Sequence, residues 1–546
     1  MGYQSPLSWL YQWEKNSPQK TYLKQPIDDA WHTWSWAETG KEVRSLAAAL
    51  LAMQLPAGSH IALISKNCAH WIITDLAIMM AGHVSVPLYP NLQAHTIQQI
   101  LEHSESKLLF VGKLDEWNDM KPGVPASLPC ISFPFCANEG CTSWSDFIAN
   151  HQQIAEDVER MPGDICSIVY TSGTTGMPKG VMFTFASFGY AASMAAGHFG
   201  FRHEERFFSY LPLSHIAERM LVEMISLFVG GEVAFAESLH KFQANLAAAK
   251  PTVFLGVHRI WTRFQQGILG KLPQKKLDLL LRLPVISGGI KNKIKKSLGL
   301  QEATTILTGA APTPPALIEW FEKIGVRIQE AYAMTENCCY SHVTLNTDIR
   351  VGFVGQPLPG CEVRLGANNE IEVRHPALMA GYYKEPGLTK EAFTADGFLT
   401  TGDEGYINSD GFLKITGRVK DLFKTAKGKY VAPSPIEMMF AGNSDLEQVC
   451  VVGSGLPQPI ALVTLSATGT KANAREVDDR FNAMRLHINS ALDDHAKIAK
   501  IVVIPGEWTV ENNLLTPSFK IKRNAIEKKY AENYDRWYSA ATLVTR

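Results

Sequence analysis

The stretch from Tyr170 to Gly180, YTSGTTGMPKG, combines three glycines, four serine or threonine hydroxyls and one lysine. Glycine lets backbone N–H groups face a ligand, and the hydroxyls and the ammonium add further donors for an anion. The apolar, β-prone run just before it, residues 165–170, predicts a buried strand that leads into this loop. The pattern favours a polyphosphate-binding loop, and an ordinary Gly/Ser/Thr linker is the alternative. A Walker loop is excluded because Lys179 is followed by glycine and preceded by Pro178.

Length and composition indicate a globular protein with more than one domain. The chain has 546 residues, of which 46% are hydrophobic and 19% are charged, so it can form large cores. The formal net charge of -1 gives no general reason to expect nucleic-acid binding. The nine cysteines have no metal-ligand spacing, which favours reduced thiols in a cytoplasmic protein.

No segment of the sequence has the pattern of a secretory signal or a transmembrane helix. Residues 1–20 lack an apolar core of adequate length for a signal peptide. The apolar runs at 46–55 and 71–82 are too short to cross a bilayer, and the second includes Asp75. We therefore expect a soluble, cytoplasmic protein. A peripheral contact with the inner membrane face is an alternative that the sequence does not decide.

Helical and β-rich stretches alternate through the first two-thirds of the chain. Residues 36–55, 68–82 and 96–106 predict helices, and residues 60–67, 83–90 and 107–113 predict strands. This alternation is typical of βαβ units in largely parallel sheets.

From about Gly352 the pattern changes to short strands separated by Asn-Asn and Ser-Asp-Gly turns, which predict an antiparallel region or small barrel. A last segment mixes strands with a helical run at 474–493. The expected fold class is therefore α/β. Residues 1–419 would form a large domain of parallel-rich βαβ sheets plus the small barrel region, and residues 420–546 a small mobile α+β domain.

Several motifs resemble those of the adenylate-forming superfamily, which includes acyl-CoA synthetases, peptide-synthetase adenylation domains and luciferases. The phosphate-loop motif is the YTSGTTGMPKGVM stretch described above, and the histidine motif LPLSHIAER has the form found in long-chain acyl-CoA synthetases. The remaining motifs follow in the family's order: LTGAAPTP (307–314), EAYAMTE (330–336), VGQPLPG (354–360), GYY (381–383), TGDEGY (401–406), GRVKD (417–421) and LTPSFKIKR (515–523). The resemblance covers nearly the whole chain.

The resemblance implies a reaction in which a carboxylate joins the α-phosphate of ATP and pyrophosphate leaves. A thioester with coenzyme A then forms. The charge that builds on the phosphate oxygens requires positioning and electrostatic stabilisation, to which Mg²⁺ contributes.

The resemblance also implies roles for individual residues. The phosphates would be held by Thr171, Ser172, Gly173, Thr174, Thr175 and Lys179. Adenine would lie against Gly309, Ala310, Ala311 and Tyr332, and the ribose hydroxyls would bind Asp403 and Arg418. Thr335 would contact the α-phosphate, and Glu336 would bind Mg²⁺.

Each of these residues has a plainer interpretation outside its motif. Lys179 would be a solvated surface lysine, Tyr332 a core residue, and Asp403 part of a turn. The pair Thr335–Glu336 is by itself more often a helix start. The motif order favours the functional interpretation.

The resemblance implies roles for four further residues. His215 and Arg219 would lie at the acyl gate, Lys420 would be the hinge, and Lys520 would be the catalytic lysine carried by the mobile domain. The chain departs from the family pattern where relatives have glycine: Ala331 and Ala333 in one motif, and Phe519 beside the lysine.

The segment 271–296, KLPQKKLDLLLRLPVISGGIKNKIKK, is basic and partly amphipathic. It could contact an anionic membrane surface. The alternative, which the sequence favours, is a solvated basic helix end followed by a buried leucine run.

The sequence thus predicts an ATP-dependent fatty acyl-CoA ligase for medium- or long-chain acids. One alternative is a ligase that passes its acyl-adenylate to a carrier protein. Another is a catalytically silent nucleotide- or acyl-binding protein. The expected partners are fatty acid, ATP and CoA, without nucleic acid, and a homodimer stays open.

Overall fold

The computed structural model describes residues 4–136, 138–149, 151–171 and 177–545. The roles expected of Ser172, Gly173, Thr174 and Thr175 concern residues outside these ranges.

The α-helices of the described residues are labelled in chain order: α1 Pro6–Asn16, α2 Trp36–Ala52, α3 Ala69–Met80, α4 Ala94–Ser104, α5 Trp117–Met120, α6 Trp144–Ile148, α7 Phe185–Phe199, α8 Ile216–Glu218, α9 Ile225–Val229, α10 Phe242–Ala249, α11 His258–Lys271, α12 Gln274–Leu281, α13 Pro284–Leu298, α14 Pro315–Lys323, α15 Pro386–Glu391, α16 Pro433–Met439, α17 Ala467–Lys471, α18 Ala474–Asn489, α19 Arg523–Tyr530 and α20 Tyr534–Ser539. A π-helix covers Arg219–Met224, and 3₁₀ turns cover Lys121–Gly123, Ala367–Asn369 and Ala531–Asn533.

The strands are labelled in the same way: β1 Thr21–Ile27, β2 Ala30–Ser35, β3 His60–Ile64, β4 Val84–Leu88, β5 Leu108–Val111, β6 Cys130–Ser132, β7 Thr142–Ser143, β8 Ile165–Thr171, β9 Lys179–Thr184, β10 Arg206–Ser209, β11 Glu232–Phe235, β12 Val253–Leu255, β13 Thr305–Thr308, β14 Gln329–Tyr332, β15 His342–Val343, β16 Gln356–Pro357, β17 Glu362–Leu365, β18 Glu370–Arg374, β19 Gly381–Tyr382, β20 Leu399–Ile407, β21 Leu413–Arg418, β22 Phe423–Lys424, β23 Tyr430–Val431, β24 Leu446–Val452, β25 Ile460–Leu465, β26 Lys500–Val503 and β27 Val544–Thr545.

Two large, mostly parallel sheets form the framework that carries the candidate site. One has nine strands in the order β16-β15-β14-β13-β12-β10-β11-β1-β2, and the other has eight in the order β19-β9-β8-β4-β3-β5-β6-β7. Their central pairs, such as β12 with β13 and β3 with β4, are parallel. Antiparallel pairs such as β8 with β9 lie toward the edges. The prediction of parallel-rich βαβ sheets is confirmed.

Local sequence explains why the predicted elements form where they do. Helix α2 begins after Ser35, whose hydroxyl accepts from the Glu38 N–H at 3.2 Å while Glu38 Oε2 accepts from the Ser35 N–H at 2.8 Å. This reciprocal capping satisfies two donors at the helix start. Helix α3 is buried on every side, which agrees with its almost uninterrupted apolar sequence.

The antiparallel region is also confirmed. Strands β17, β18, β20 and β21 form a four-stranded antiparallel sheet. Beyond it, the C-terminal part has its own sheet in the order β24-β25-β26-β27 and its own apolar clusters, one of them around Trp508 and Ile526. Among the described residues, no helix combines the length and the apolar character needed to cross a lipid bilayer.

Candidate active site

The phosphate-loop motif lies between two antiparallel strands. Thr171, the last residue of β8, is paired directly with Lys179, the first residue of β9. The described residues on either side of the gap are therefore held close together by strand pairing. The Lys179 ammonium lies 5.1 Å from the centre of the Tyr382 ring, which gives this cation a defined position.

The turn after β14 carries the candidate metal ligand. Glu336 Oε1 accepts a hydrogen bond of 2.8 Å from the Tyr382 hydroxyl, and the Glu336 carbonyl accepts one of 2.9 Å from the Met379 N–H. Asn337 Oδ1 accepts from the Met334 N–H at 2.9 Å and closes the turn in which Thr335 lies. The turn is thereby fixed on both sides, and Glu336 and Lys179 both contact the same side chain, Tyr382.

The carboxylate of Asp403 is the centre of a second group. Asp403 on β20 is paired with Arg418 on β21, and the Arg418 Nε donates to Asp403 Oδ1 at 2.9 Å. The Tyr332 hydroxyl donates to Asp403 Oδ2 at 2.9 Å. Burial, followed by the neighbouring Asp403, holds the Tyr332 pKa well above its ordinary value, so this hydroxyl stays a donor. Two residues expected at the ribose and one expected at adenine are thus in direct contact.

The loop after β13 approaches the same strand closely. A Cβ on Gly309 would lie 3.1 Å from the Ala331 carbonyl oxygen, so glycine suits this position. Ala310 has a φ of 63°, and Ala310 and Ala311 are both exposed. Ala331 and Ala333 are not among the described residues with a positive φ, so their methyl groups cause no backbone strain where relatives have glycine.

Lys520 reaches this group from the C-terminal part of the chain. It lies in a tight turn in which its N–H donates to Thr516 Oγ1 at 3.0 Å and its carbonyl accepts from the Thr516 N–H at 2.7 Å. Protein surrounds the ammonium on most sides although water still reaches the side chain. Burial and then Arg418 lower the Lys520 pKa, while the carboxylates of Asp403 and Glu336 act in the opposite direction.

Contacts between the two parts of the chain hold this turn in place. The Asn91 side-chain amide donates to the Pro517 carbonyl at 3.0 Å, and the Gln93 amide donates to the Glu511 carbonyl at 2.7 Å. Lys522 points elsewhere, with its ammonium on Asn513 Oδ1 at 2.5 Å. Arg523 pairs with Glu437 at 2.7 and 2.9 Å. Of these three cations, Lys520 is the one whose pKa is affected by the charges of Glu336 and Asp403.

His215 lies at the start of α8 as an uncharged ring. Its Nδ1 accepts a hydrogen bond of 3.2 Å from the Ala217 N–H, so the neutral ring carries its proton on Nε2. Burial, with a smaller effect of Lys520, lowers the His215 pKa to about 3. At neutral pH this residue is therefore a hydrogen-bond donor without charge, close enough to Lys520 for the two to interact.

Arg219, expected at the acyl gate, is part of a buried ion-pair cluster. Its side chain is fully buried, and its guanidinium donates to Asp75 at 2.5 and 2.6 Å and to Ser167 Oγ at 2.6 Å. Glu223 lies 3.4 Å from its Nε. A side chain held in this way anchors the π-helix to α3 and to β8, the strand that precedes the phosphate loop.

The residues present suit a magnesium ion bound jointly with phosphates. Glu336 offers a carboxylate that is partly accessible to solvent, with Oε2 left over after its bond from Tyr382. Within the described ranges no group of three or more His, Cys, Asp or Glu side chains could hold a metal ion. A single carboxylate is the donor set expected when nucleotide phosphates and water supply the remaining oxygens.

The sequence did not identify three groups that support the site. Tyr382 belongs to the GYY motif, but its residue type does not predict the hydrogen bond to Glu336. Asn91 and Gln93 are loop amides without a distinctive spacing. Glu218 accepts from the Tyr210 N–H at 2.8 Å, and Asn67 Oδ1 accepts from the Leu213 N–H at 3.0 Å, so the loop that leads to His215 is held from within the core.

Comparison with known proteins identifies the family of this chain. A family model described as AMP-binding enzyme matches residues 10–383, and one described as AMP-binding enzyme C-terminal domain matches residues 420–542. The chain is 27% identical to the long-chain-fatty-acid–CoA ligase FadD15 of Mycobacterium bovis, over 97% of this chain and 96% of that protein. It is 30% identical to the peroxisomal long chain acyl-CoA synthetase 6 of Arabidopsis thaliana, over 94% and 82% of the two chains.

Solved structures show the same fold at lower identity. The anthranilate CoA ligase AuaEII, in complex with anthranoyl-AMP, matches with a TM-score of 0.80 and 20% identity over 98% of each chain. The adenylation domain of a carboxylate reductase from Mycobacterium chelonae matches with a TM-score of 0.82 and 21% identity, over 99% of this chain and 92% of that one. Because the first family model alone spans more than half of the residues, this chain belongs to the AMP-binding enzyme family.

Proposed function

We propose that the protein is an ATP-dependent, AMP-forming fatty acyl-CoA ligase acting on medium- or long-chain acids. The observation that carries this proposal is the placement of the Lys520 turn, in which the Pro517 carbonyl accepts a hydrogen bond of 3.0 Å from Asn91 of the N-terminal part of the chain. There Lys520 lies close enough to Glu336 and Asp403 for their charges to act on its pKa. The family match and the relatives named as long-chain fatty acid or acyl-CoA ligases support the substrate class.

In the first half-reaction a fatty-acid carboxylate attacks the α-phosphate of ATP. Two anions must approach each other, and the compact Lys520 ammonium lowers their repulsion by contacting both. Thr335 donates to the α-phosphate, and Lys179 binds the phosphates that leave as pyrophosphate. Asp403, with oxygens that accept from hydroxyls, holds the ribose diol beside Arg418.

Glu336 would hold Mg²⁺ against the phosphates, where the ion neutralises part of their charge. The Tyr382 hydroxyl orients the carboxylate that does this. Tyr332 presents its ring to adenine while its hydroxyl stays bonded to Asp403, so base and ribose are positioned by one connected pair of side chains. Gly309, Ala310 and Ala311 form the opposite side of the adenine site.

The second half-reaction requires the C-terminal domain, residues 420–546, to move relative to residues 1–419. Lys420 lies exposed in the turn after β21, just beyond the hydrogen bond of 3.0 Å from the Val419 N–H to the Gly402 carbonyl. A hinge absorbs its change of φ and ψ at a few such positions between elements. Rotation there would withdraw Lys520 and open the site to CoA.

The remaining expectations concern assembly and location. A homodimer and a cytoplasmic enzyme in peripheral contact with the inner membrane face are part of the proposal. His215 would border the acyl site as an uncharged hydrogen-bond donor. Arg219 would border it by holding the π-helix in place.

Two assays test the function. AMP release with CoA and fatty acids of graded chain length should show turnover, with an optimum among medium or long chains. ATP–pyrophosphate exchange without CoA product would favour the ligase that serves a carrier protein, because adenylation would then proceed without a thiol acceptor. If no acid supports exchange, the remaining interpretation is a catalytically silent nucleotide- or acyl-binding protein. The substitutions Ala331→Gly and Ala333→Gly would then test whether these two departures from the family pattern cause the loss.

A further inference from the structure

Exposed apolar side chains cluster where α12 meets α13. Leu279, Leu283, Val285 and Ile286 expose 62, 41, 95 and 45% of their surface. All four lie in the eight residues 279–286, here called the apolar tip, in which Arg282 is the one charged residue. Single exposed apolar residues are ordinary, whereas a contiguous group marks a contact surface. The leucine run that the sequence analysis expected to be buried is therefore partly exposed.

Basic residues flank the apolar tip on both sides in the sequence. The segment 271–296 holds one acidic residue, Asp278, and eight basic residues: Lys271, Lys275, Lys276, Arg282, Lys291, Lys293, Lys295 and Lys296. In the part of the chain that the structure describes, no ion pair joins any of the eight to a carboxylate. The chain as a whole has a net charge of -1, so this segment is far more basic than the rest of the chain.

The exposed face belongs to helices that are packed on the domain. Leu277 of α12 and Leu298 of α13 are buried in the cluster that also holds Trp320. The Trp320 indole N–H donates to Gln274 Oε1 at 2.8 Å and ties α12 to α14. The apolar tip is therefore a fixed feature of a folded surface.

We propose that segment 271–296 docks the enzyme on an anionic lipid bilayer, with the apolar tip inserted among the lipids and the surrounding lysines at the headgroups. A folded segment that presents exposed apolar side chains flanked by cations without ion-pair partners matches such a bilayer in both polarity and charge. An acidic protein would satisfy the cations but would leave Val285, which protrudes almost completely from the surface, without a complementary groove. An anionic bilayer can contact both the exposed apolar side chains and the basic residues.

The consequence for the reaction rests on the proposed function. A fatty acid partitions into membranes, so an enzyme docked through this segment collects its substrate where it is concentrated. Helix α14, which packs on α12 through Trp320, begins directly after the loop that contains Gly309, Ala310 and Ala311. The docking surface and the nucleotide loop thus share one packed helix.

Vesicle co-sedimentation of the full chain tests the proposal without any substrate. We expect binding to phosphatidylcholine vesicles that contain phosphatidylglycerol, little binding to phosphatidylcholine alone, and weaker binding as salt rises. Val285→Asp should weaken binding at least about tenfold because it places a charge at the insertion point. Leu486→Asp, at a residue 58% exposed on α18, is the matched control and should bind normally.

A second pair of variants tests the cations. Lys293→Glu combined with Lys296→Glu should weaken binding to anionic vesicles by about tenfold or more, since each basic residue near the surface contributes. Lys528→Glu combined with Lys529→Glu changes the same charge on exposed residues of α19 and should have little effect.

Equal binding by Val285→Asp and Leu486→Asp, or equal binding to neutral and anionic vesicles, would overturn the proposal. The proposal would also be overturned if Val285→Asp dissociated a dimer and left vesicle binding unchanged. The surface would then be an interface with a second copy of the chain. Vesicle binding as expected from a protein without ligase activity would count against the proposed function alone.

Discussion

The Tyr382 hydroxyl donates a hydrogen bond of 2.8 Å to Glu336 Oε1, and the Tyr382 ring lies 5.1 Å from the Lys179 ammonium. One side chain therefore orients both the proposed metal ligand and the proposed phosphate-binding cation. It joins β19 to the turn after β14, two elements that belong to different sheets.

Tyr382→Phe should raise the Mg²⁺ concentration that gives half-maximal adenylation several-fold, because the carboxylate loses the group that orients it. Glu336→Gln should have a larger effect, since a neutral amide is a poor Mg²⁺ ligand. ATP–pyrophosphate exchange over a Mg²⁺ titration measures both. Tyr383→Phe, at the neighbouring hydroxyl that lies 3.5 Å from Glu105, is the control. An unchanged Mg²⁺ dependence in Glu336→Gln would remove Glu336 from the metal site.

Arg219→Met should lower the free energy of unfolding by about 3–5 kcal/mol, because it leaves Asp75 and Glu223 buried without their cation. Arg374→Met, at an ion pair with Glu362 in which both side chains are exposed, should cost less than about 1 kcal/mol. Denaturant unfolding compares the two. If Arg219→Met keeps wild-type stability and instead alters the preferred acyl length, the residue is a gate and not an anchor.

Glu218→Gln should change how stability depends on pH. Burial raises the Glu218 pKa to about 8, against an ordinary value near 4.5. Above pH 4.5 the unfolded chain releases this proton while the folded protein keeps it, so the native state loses stability as pH rises toward 8. A glutamine does not ionise and removes this loss, which has an upper bound of about 5 kcal/mol.

Free energies of unfolding at pH 5 and pH 8 provide the measurement. The difference between the two pH values should be smaller in Glu218→Gln than in the wild type. An identical pH dependence in both proteins would show that Glu218 is ionised in the folded state.

Phe519 occupies the position where the family has glycine, and its φ of 60° lies in the left-handed region that favours glycine. A side chain there costs about 1–2 kcal/mol. Phe519→Gly should therefore be more stable than Phe519→Ala by about 1 kcal/mol, which is opposite to their order in ordinary backbone. Both variants lose the ring that lies 6.0 Å from the Arg259 guanidinium, so the comparison isolates the backbone effect. Thermal unfolding of both decides it, and equal midpoints would exclude strain at Phe519.

The sequence predicted those helices and strands that are determined by residues close to one another in the chain. Helix α2 has its capping residues and periodicity within one stretch, and β8 is a short apolar run that ends at a glycine-rich loop. The pairing of Asp403 with Arg418 could be expected only through the family motifs, because it depends on the register of two strands. The bond of Arg219 to Asp75 joins residues far apart in the chain, and nothing near either residue indicates it. The exposure of Leu279 and Val285 was missed because an apolar pattern does not show whether a helix has a packing partner.

Lys520→Ala should lower acyl-adenylate formation by roughly 10²-fold or more, which is the scale of losing one electrostatic stabiliser of a transition state. Conversion of pre-formed acyl-adenylate to acyl-CoA should stay near normal, because the proposed rotation about Lys420 takes the lysine out of the site. Since burial lowers the Lys520 pKa, adenylation should also fall with rising pH before the ordinary lysine pKa is reached, as the ammonium loses its proton.

Lys522→Ala is the matched control because it removes the same charge two residues away. The Lys522 ammonium binds Asn513 and does not face Glu336 or Asp403, so adenylation should change little. Rates of both half-reactions, measured in both variants, give the answer. A larger adenylation loss in Lys522→Ala would mean that the other lysine acts at the phosphate. Equal slowing of the two steps in Lys520→Ala would contradict a domain that moves between them.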